Sequence, residues 1–239
     1  MLDQIERSEE DQRQFMSSGN AELDEKIGGG LPLGALTLIE GGSGAGKSVV
    51  AQQITWGALQ QGLTVAMFTS ESTVRSLVRQ MQSIDLDVLD FLLMARIKIY
   101  PVELSHLGEY APTALLQAMR REAHHDLLVV DSFTAALNSV SGNSPVIRYF
   151  EQSKRMTDTG TSIINVLHSY ALEETLMNPL RGMCDVHLRL RSEQDGQRIV
   201  KTLEVLKVRG GGGVTGAVVG FEVEPGWGLR IIPISKARG

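Results

Sequence analysis

The sequence predicts an α/β fold, a mostly parallel central sheet flanked by helices and extended by C-terminal antiparallel hairpins. Three observations carry that prediction. Before the last third of the chain, short apolar runs of strand length alternate with segments whose apolar residues recur at helical spacing. In the last third, apolar and polar residues alternate between turn signals, as hairpins require. At the first strand-to-helix junction stands Gly41-Gly42-Ser43-Gly44-Ala45-Gly46-Lys47-Ser48.

That stretch fits Gly-x₄-Gly-Lys-Ser/Thr, the phosphate-binding P-loop. Ala35 to Ile39 before it reads as a short buried strand, and the helix after it begins at Lys47. Glycines let main-chain N–H groups turn inward around a phosphate, and the helix N-terminus adds partial positive charge. The expected binding residues are Gly42, Ser43, Gly44, Ala45, Gly46, Lys47, Ser48 and Val49. Lys47 is expected to neutralise the β- and γ-phosphates of a nucleoside triphosphate, and the Ser48 hydroxyl to ligate Mg²⁺.

Composition narrows the classes. Of 239 residues, 42% are hydrophobic and 21% charged, ordinary for an α/β protein, and one domain over residues 19–239 is expected. A net charge of −5 disfavours a non-specific grip on nucleic acid or anionic membrane. Cys184 is the single cysteine, so no internal disulfide forms. No apolar run reaches the ~18 residues of a spanning helix and no signal peptide opens the chain, so a cytoplasmic location is expected.

In chain order, residues 1–18 are polar and acidic and read as a flexible or helical arm. A short amphipathic helix carrying Leu23 and Ile27 ends at Gly28-Gly29-Gly30. The second strand, from Leu63 to Thr69, has Glu71 just past its end. Val74, Leu77, Val78 and Met81 then mark a helix core face. Ile97 to Tyr100 is a strand stopped by Pro101, and a helix begins near Pro112 with Leu115, Leu116 and Met119 inward. The run from Asp126 to Asp131 suits a parallel strand buried on both faces. Its terminal acid, Asp131, falls at the ligand edge of such a sheet, as the metal-holding aspartate. After a helix from Val146 to Thr157, the strand from Thr161 to Leu167 delivers His168 to the same edge, where it can sense a γ-phosphate. Residues 170–182 read as a loop.

Cys184 to Arg191 and Arg198 to Val208 form one predicted hairpin across Gln194-Asp195-Gly196-Gln197. Val218 to Val223 and Leu229 to Ile232 form another. Between them, Lys207-Val208-Arg209 opens a loop of glycines, Gly210 to Gly213. Strand–helix alternation followed by hairpins indicates a RecA-like domain.

Leu23-Asp24, then Gly28-Gly29-Gly30-Leu31-Pro32 and the P-loop, resemble the KaiC/RecA superfamily. Thr69-Ser70-Glu71-Ser72-Thr73-Val74-Arg75-Ser76-Leu77, the run Cys184-Asp185-Val186-His187-Leu188-Arg189-Leu190-Arg191 and the ending Ile231-Ile232-Pro233-Ile234-Ser235-Lys236 resemble more narrowly the FlaH (ArlH) family of KaiC-like archaellum proteins. The resemblance implies ATP and Mg²⁺ binding, hexameric rings and weak turnover. It also implies association with the motor ATPase FlaI at the cytoplasmic face of the membrane, a scaffold ring such as FlaX, and indirectly the platform protein FlaJ. Lys207 and Arg209 match the Lys-x-Arg pair that such rings present to a neighbour's γ-phosphate. Where KaiC domains place two adjacent glutamates, this chain has Glu71 followed by Ser72, so Glu71 alone is expected to orient the attacking water. Two other functions fit the fold. One is a KaiC-like signalling ATPase that phosphorylates itself near Ser70, Ser72 or Thr73. The other is a RecA/RadA-type strand-exchange enzyme, which the negative charge disfavours.

Overall fold

The computed structural model describes residues 14–137, 140–195, 198–210 and 215–232. Strand β1 (Phe15–Met16) pairs antiparallel with β2 (Leu31–Pro32), and α1 (Ala21–Ile27) lies between them. Then come β3 (Leu36–Gly41), α2 (Lys47–Gln60), β4 (Val65–Thr69), α3 (Val74–Ser83), the short α4 (Leu89–Leu93), β5 (Ile97–Pro101) and α5 (Ala111–Arg121). They are followed by β6 (Leu127–Asp131), α6 (Ser144–Thr157), β7 (Ser162–His168) and α7 (Glu174–Met183). Four strands end the chain, β8 (Val186–Asp195), β9 (Arg198–Val208), β10 (Val218–Glu224) and β11 (Gly228–Ile232).

Among the described residues, nine strands form one sheet in the order β11-β10-β9-β8-β3-β7-β6-β4-β5. From β8 through β5 every pairing is parallel, and β9, β10 and β11 add on antiparallel, as the change of patterning predicts. Every residue of β3, β4 and β6 is buried, the mark of parallel strands covered on both faces. One face packs on α1, α2 and α3 through residues such as Leu23, Ile54 and Met81. The other packs on α5, α6 and α7 through Met119, Phe150 and Leu180.

Local signals place the helix ends. Asn20 caps α1 by accepting from Leu23 N–H at 3.0 Å, and Gly28 closes it in the left-handed conformation. Thr73 caps α3 through Ser76 N–H at 3.2 Å, and Pro112 opens α5. Strand β4 starts later than predicted because the Thr64 N–H and hydroxyl both turn to Asp126 Oδ2, at 2.7 Å each.

Residues 170–182, expected as a loop, are mostly helix α7. Leu176, Met177 and Leu180 are buried on one face, and that burial holds the helix together through Pro179, which lies inside it. Of the predicted arm, residues 1–13 lie outside the described residues, and Phe15–Met16 form β1. Gly196, Gln197, the glycines 211–213 and the ending from Pro233 also lie outside them.

Carboxylates bracket β3. At its start, Asp185 Oδ2 accepts from Leu36 N–H at 2.9 Å and from Lys154 Nζ. At its end stands Glu40, with no exposed surface. Arg181 reaches both Glu40 oxygens, at 3.0 and 3.1 Å, Arg189 Nε lies 2.7 Å from Oε1, and His187 Nε2 lies 3.1 Å from it. Burial works against the charge, but His187, Arg189 and Arg181 outweigh it and hold the carboxyl at about 2. A carboxylate held below its unfolded value stabilises the fold above that value, near 4.5, and loses the contribution as pH falls toward 2. Glu40→Gln should therefore lower unfolding free energy by about 3 kcal/mol at neutral pH. In urea titrations, the gap from wild type should close between pH 4.5 and about 2.

Candidate functional site

The carboxyl ends of β3, β4, β6 and β7 meet at one edge of the sheet, where an open α/β sheet binds ligands. The P-loop leaves β3 with no room to spare. A Cβ on Gly41 would lie 2.4 Å from Leu190 O. Gly46, at the N-cap of α2, has φ +96°, and a Cβ there would lie 3.0 Å from the Phe221 ring. The loop is thus seated on β8 and β10 as well as on its own strand and helix.

Inside the loop, Lys47 Nζ donates to Gly42 O at 2.7 Å and lies 3.3 Å from His168 Nδ1. Burial pushes its ammonium below the usual lysine range, against the pull of Glu71 and Asp131. Ser48 Oγ donates to Asp131 Oδ1 at 3.1 Å. Asp131 is buried, and its carboxyl is raised to about 6, first by that burial, with Glu71 adding to it and Ser48 and Lys47 opposing it. Glu71 accepts from Ser132 Oγ at 3.2 Å and lies 3.8 Å from His168 Nε2, with its side chain 54% exposed. His168 is pushed down by burial and by Lys47, with Glu71 opposing. Its main-chain N–H is fixed to Thr134 Oγ1 at 3.0 Å.

These groups surround a cleft of about 250 Å³ lined by Ser43, Gly44, Gly46, Lys47, Ser48, Val49, Glu71, Asp131 and His168. Ala45 is buried beneath the loop. The cleft edge brings together an ammonium, a hydroxyl, two carboxylates and an imidazole around the phosphate loop. Ser48 and Asp131 are hard oxygen donors in contact, and Asp131 is a buried carboxylate that a cation would restore to its charged form. The pair fits Mg²⁺.

Lys207 and Arg209 do not join this site. Lys207 pairs with His187, which pairs with Leu38. It therefore sits three strand positions back from Gly41 and two strands across, on the order of 14 Å away within the sheet. In the chain itself both cations hold the C-terminus of α7. Lys207 Nζ donates to Arg181 O at 3.1 Å and Gly182 O at 2.9 Å, and Arg209 Nη2 to Gly182 O at 3.3 Å.

Ser132, Val166 and Lys201 also line the cleft and were not assigned to it from the sequence. Ser132 follows Asp131 directly, so its closeness to the site was legible there, but its bond to Glu71 was not. Lys201 lines the cleft from β9. On an alternating strand it looks like any outward lysine, and no local signal marks it. A separate cluster, Glu122, His124 and His125, already has its cation. Lys98 Nζ lies 3.3 Å from Glu122 Oε2, and His125 Nδ1 is 3.0 Å from Glu122 O.

Parallel strands with a P-loop at the central one, an acid two strands away and hairpins on the far side define a RecA-like P-loop protein. Against known proteins, residues 16–236 match the family described as "ATPase: KaiC", and the chain belongs to that family. It is 28% identical over 231 residues to the archaeal flagellar ATP-binding protein FlaH of Sulfolobus acidocaldarius, covering 94% of this chain and 99% of that one. The crystal structure of flagellar accessory protein FlaH from Methanocaldococcus jannaschii superposes with a TM-score of 0.83 at 23% identity, covering 92% and 99% of the two chains. A KaiC-like protein from Pyrococcus horikoshii superposes at 0.75 with 21% identity, covering 91% and 98%.

Proposed function

We propose that this chain is an ATP-binding regulatory and assembly subunit of an archaellum motor. In this reading it engages the motor ATPase FlaI in a nucleotide-dependent way and turns ATP over slowly or not at all. The observation that carries the reading is the near end-to-end similarity to an archaeal flagellar ATP-binding protein, over 94% of this chain and 99% of the relative. Hexameric rings, a scaffold such as FlaX and indirect contact with FlaJ belong to the same reading. So does a place at the cytoplasmic face of the membrane through partners. Among the described residues no helix is long and apolar enough to cross a membrane.

The site's geometry supports a switch more than an engine. Main-chain N–H groups of the loop and Lys47 are placed to grip the triphosphate, and Ser48 and Asp131 would hold Mg²⁺, which would supply neutralising charge to the phosphates. Glu71 orients a water and takes its proton as the water oxygen bonds to the γ-phosphorus and the bond to the ADP oxygen breaks. His168, between Lys47 and Glu71, feels whether the γ-phosphate is present. A single carboxylate more than half exposed is a weakly held base, which favours slow turnover. Lys207 and Arg209 lie outside the in-chain site and serve a neighbour in a ring, leaving the α7 carbonyls to do so. For DNA strand exchange, a cationic loop is needed where this chain has α7, preceded by Glu173 and opening with Glu174.

Mass in solution with and without ATP·Mg²⁺, alone and with the motor ATPase, tests the reading. Nucleotide-dependent association is expected, and ATP binding without it would refute the motor assignment. Lys47→Ala should weaken ATP binding roughly 10- to 100-fold, as loss of charge-assisted hydrogen bonds requires. Unchanged affinity would remove the site assignment. Glu71→Gln should leave affinity intact and slow any hydrolysis. Lys201→Ala should raise the Kd of a fluorescent ATP analogue about fivefold, the worth of one partly exposed charge contact.

A further inference from the structure

Past the end of β7, Ser169 N–H extends the ladder to β3 by donating to Gly41 O at 3.1 Å. Helix α7, which begins at Glu174, is tied to the P-loop strand through its C-terminal end. In its last turn, Arg181 spans both oxygens of Glu40, the residue before Gly41, with Nη2–Oε1 at 3.0 Å and Nε–Oε2 at 3.1 Å. The main chain of that same turn holds the two cations of the Lys-x-Arg pair, through Arg181 O and Gly182 O. One residue therefore touches the root of the phosphate loop with its side chain and Lys207 with its carbonyl.

We propose that Arg181 is a positioning residue that links the phosphate loop to Lys207 and Arg209, so that filling the loop changes how firmly those cations are held. The proposal rests on the reading of residues 41–48 as a nucleotide site. The link has little slack. Gly41 is pressed against Leu190 O, so backbone movement at the loop passes into β3 rather than being absorbed there. Glu40 is fully buried and cannot trade its partners for water. A guanidinium gripping two oxygens is a rigid fork that follows the carboxylate instead of sliding along it. A displacement of Glu40 thus reaches the last turn of α7, whose carbonyls hold Lys207 and, together with Asp185 at 3.9 Å, Arg209. In a ring where these cations reach a neighbour's phosphates, the occupancy of one site then adjusts the next.

Hydrogen exchange of the full chain, followed by mass spectrometry with and without ATP·Mg²⁺, tests the link. Nucleotide affinity is measured on the same samples. In the wild type, nucleotide should change exchange over residues 176–186 and 203–210 by about threefold or more. Arg181→Met should keep nucleotide affinity within about threefold, since it touches no phosphate, and lose the response at 203–210. Arg181→Lys should keep part of it, because an ammonium pairs as a point charge rather than as a fork. If Arg181→Met does not fold, Glu40→Asp, which draws the carboxylate back by one methylene, should lose the response as well. A residue that is only structural would alter basal exchange and leave the nucleotide-induced difference in place. Nucleotide binding with no change at 203–210 overturns this link alone, as does a full response that survives in Arg181→Met or in Glu40→Asp. Failure of the wild type to bind nucleotide overturns the site reading together with it.

Discussion

A carboxylate with no exposed surface stands one residue before the phosphate loop, and the centre of the molecule is arranged to keep it charged. Taking Glu40 out of water costs several kcal/mol, about what a buried ion loses in any fold. Two arginines and a histidine return that cost. Arg189 and His187 come from β8, so β8 must lie beside β3, parallel, with Glu40 opposite Arg189. Arg181 comes from α7, so α7 must cover that face with its last turn over the strand end. One buried charge therefore bears on both the strand next to the P-loop and the helix above it.

The phosphate site depends on the same frame in a second way. Strand β7 lies between β3 and β6, which puts His168 between the P-loop lysine and the carboxylates carried by the outer strands. Burial pushes Lys47, Asp131 and His168 each toward its neutral form. A triphosphate bound there with its metal would reverse those preferences, since phosphate favours the charged lysine and a cation favours the charged aspartate.

Much of this was legible in the chain. The P-loop, Asp131 at the end of an apolar run, Glu71 after the second predicted strand and His168 after the fifth are written in consecutive residues. The reason is that phosphate binding uses main-chain groups and strand ends that local patterning marks. Helix α7 was obscured by Pro179 and by the acids that precede and open it. Only the burial of Leu176, Met177 and Leu180 under the sheet settles it as helix.

By itself the sequence determined the α/β class, the parallel core with added hairpins, and most of the residues that line the cleft. Those follow from periodicity and from motifs a few residues long. Tertiary structure alone decided which distant side chains share a charge. Glu40 meets Arg181 across 141 residues and Arg189 across 149, a pairing set by strand order and register that no local pattern records. It also decided that Lys207 and Arg209 stand away from the loop in their own chain. The P-loop was legible from eight residues, and its connection to the rest of the molecule only from the register of β8 and β9.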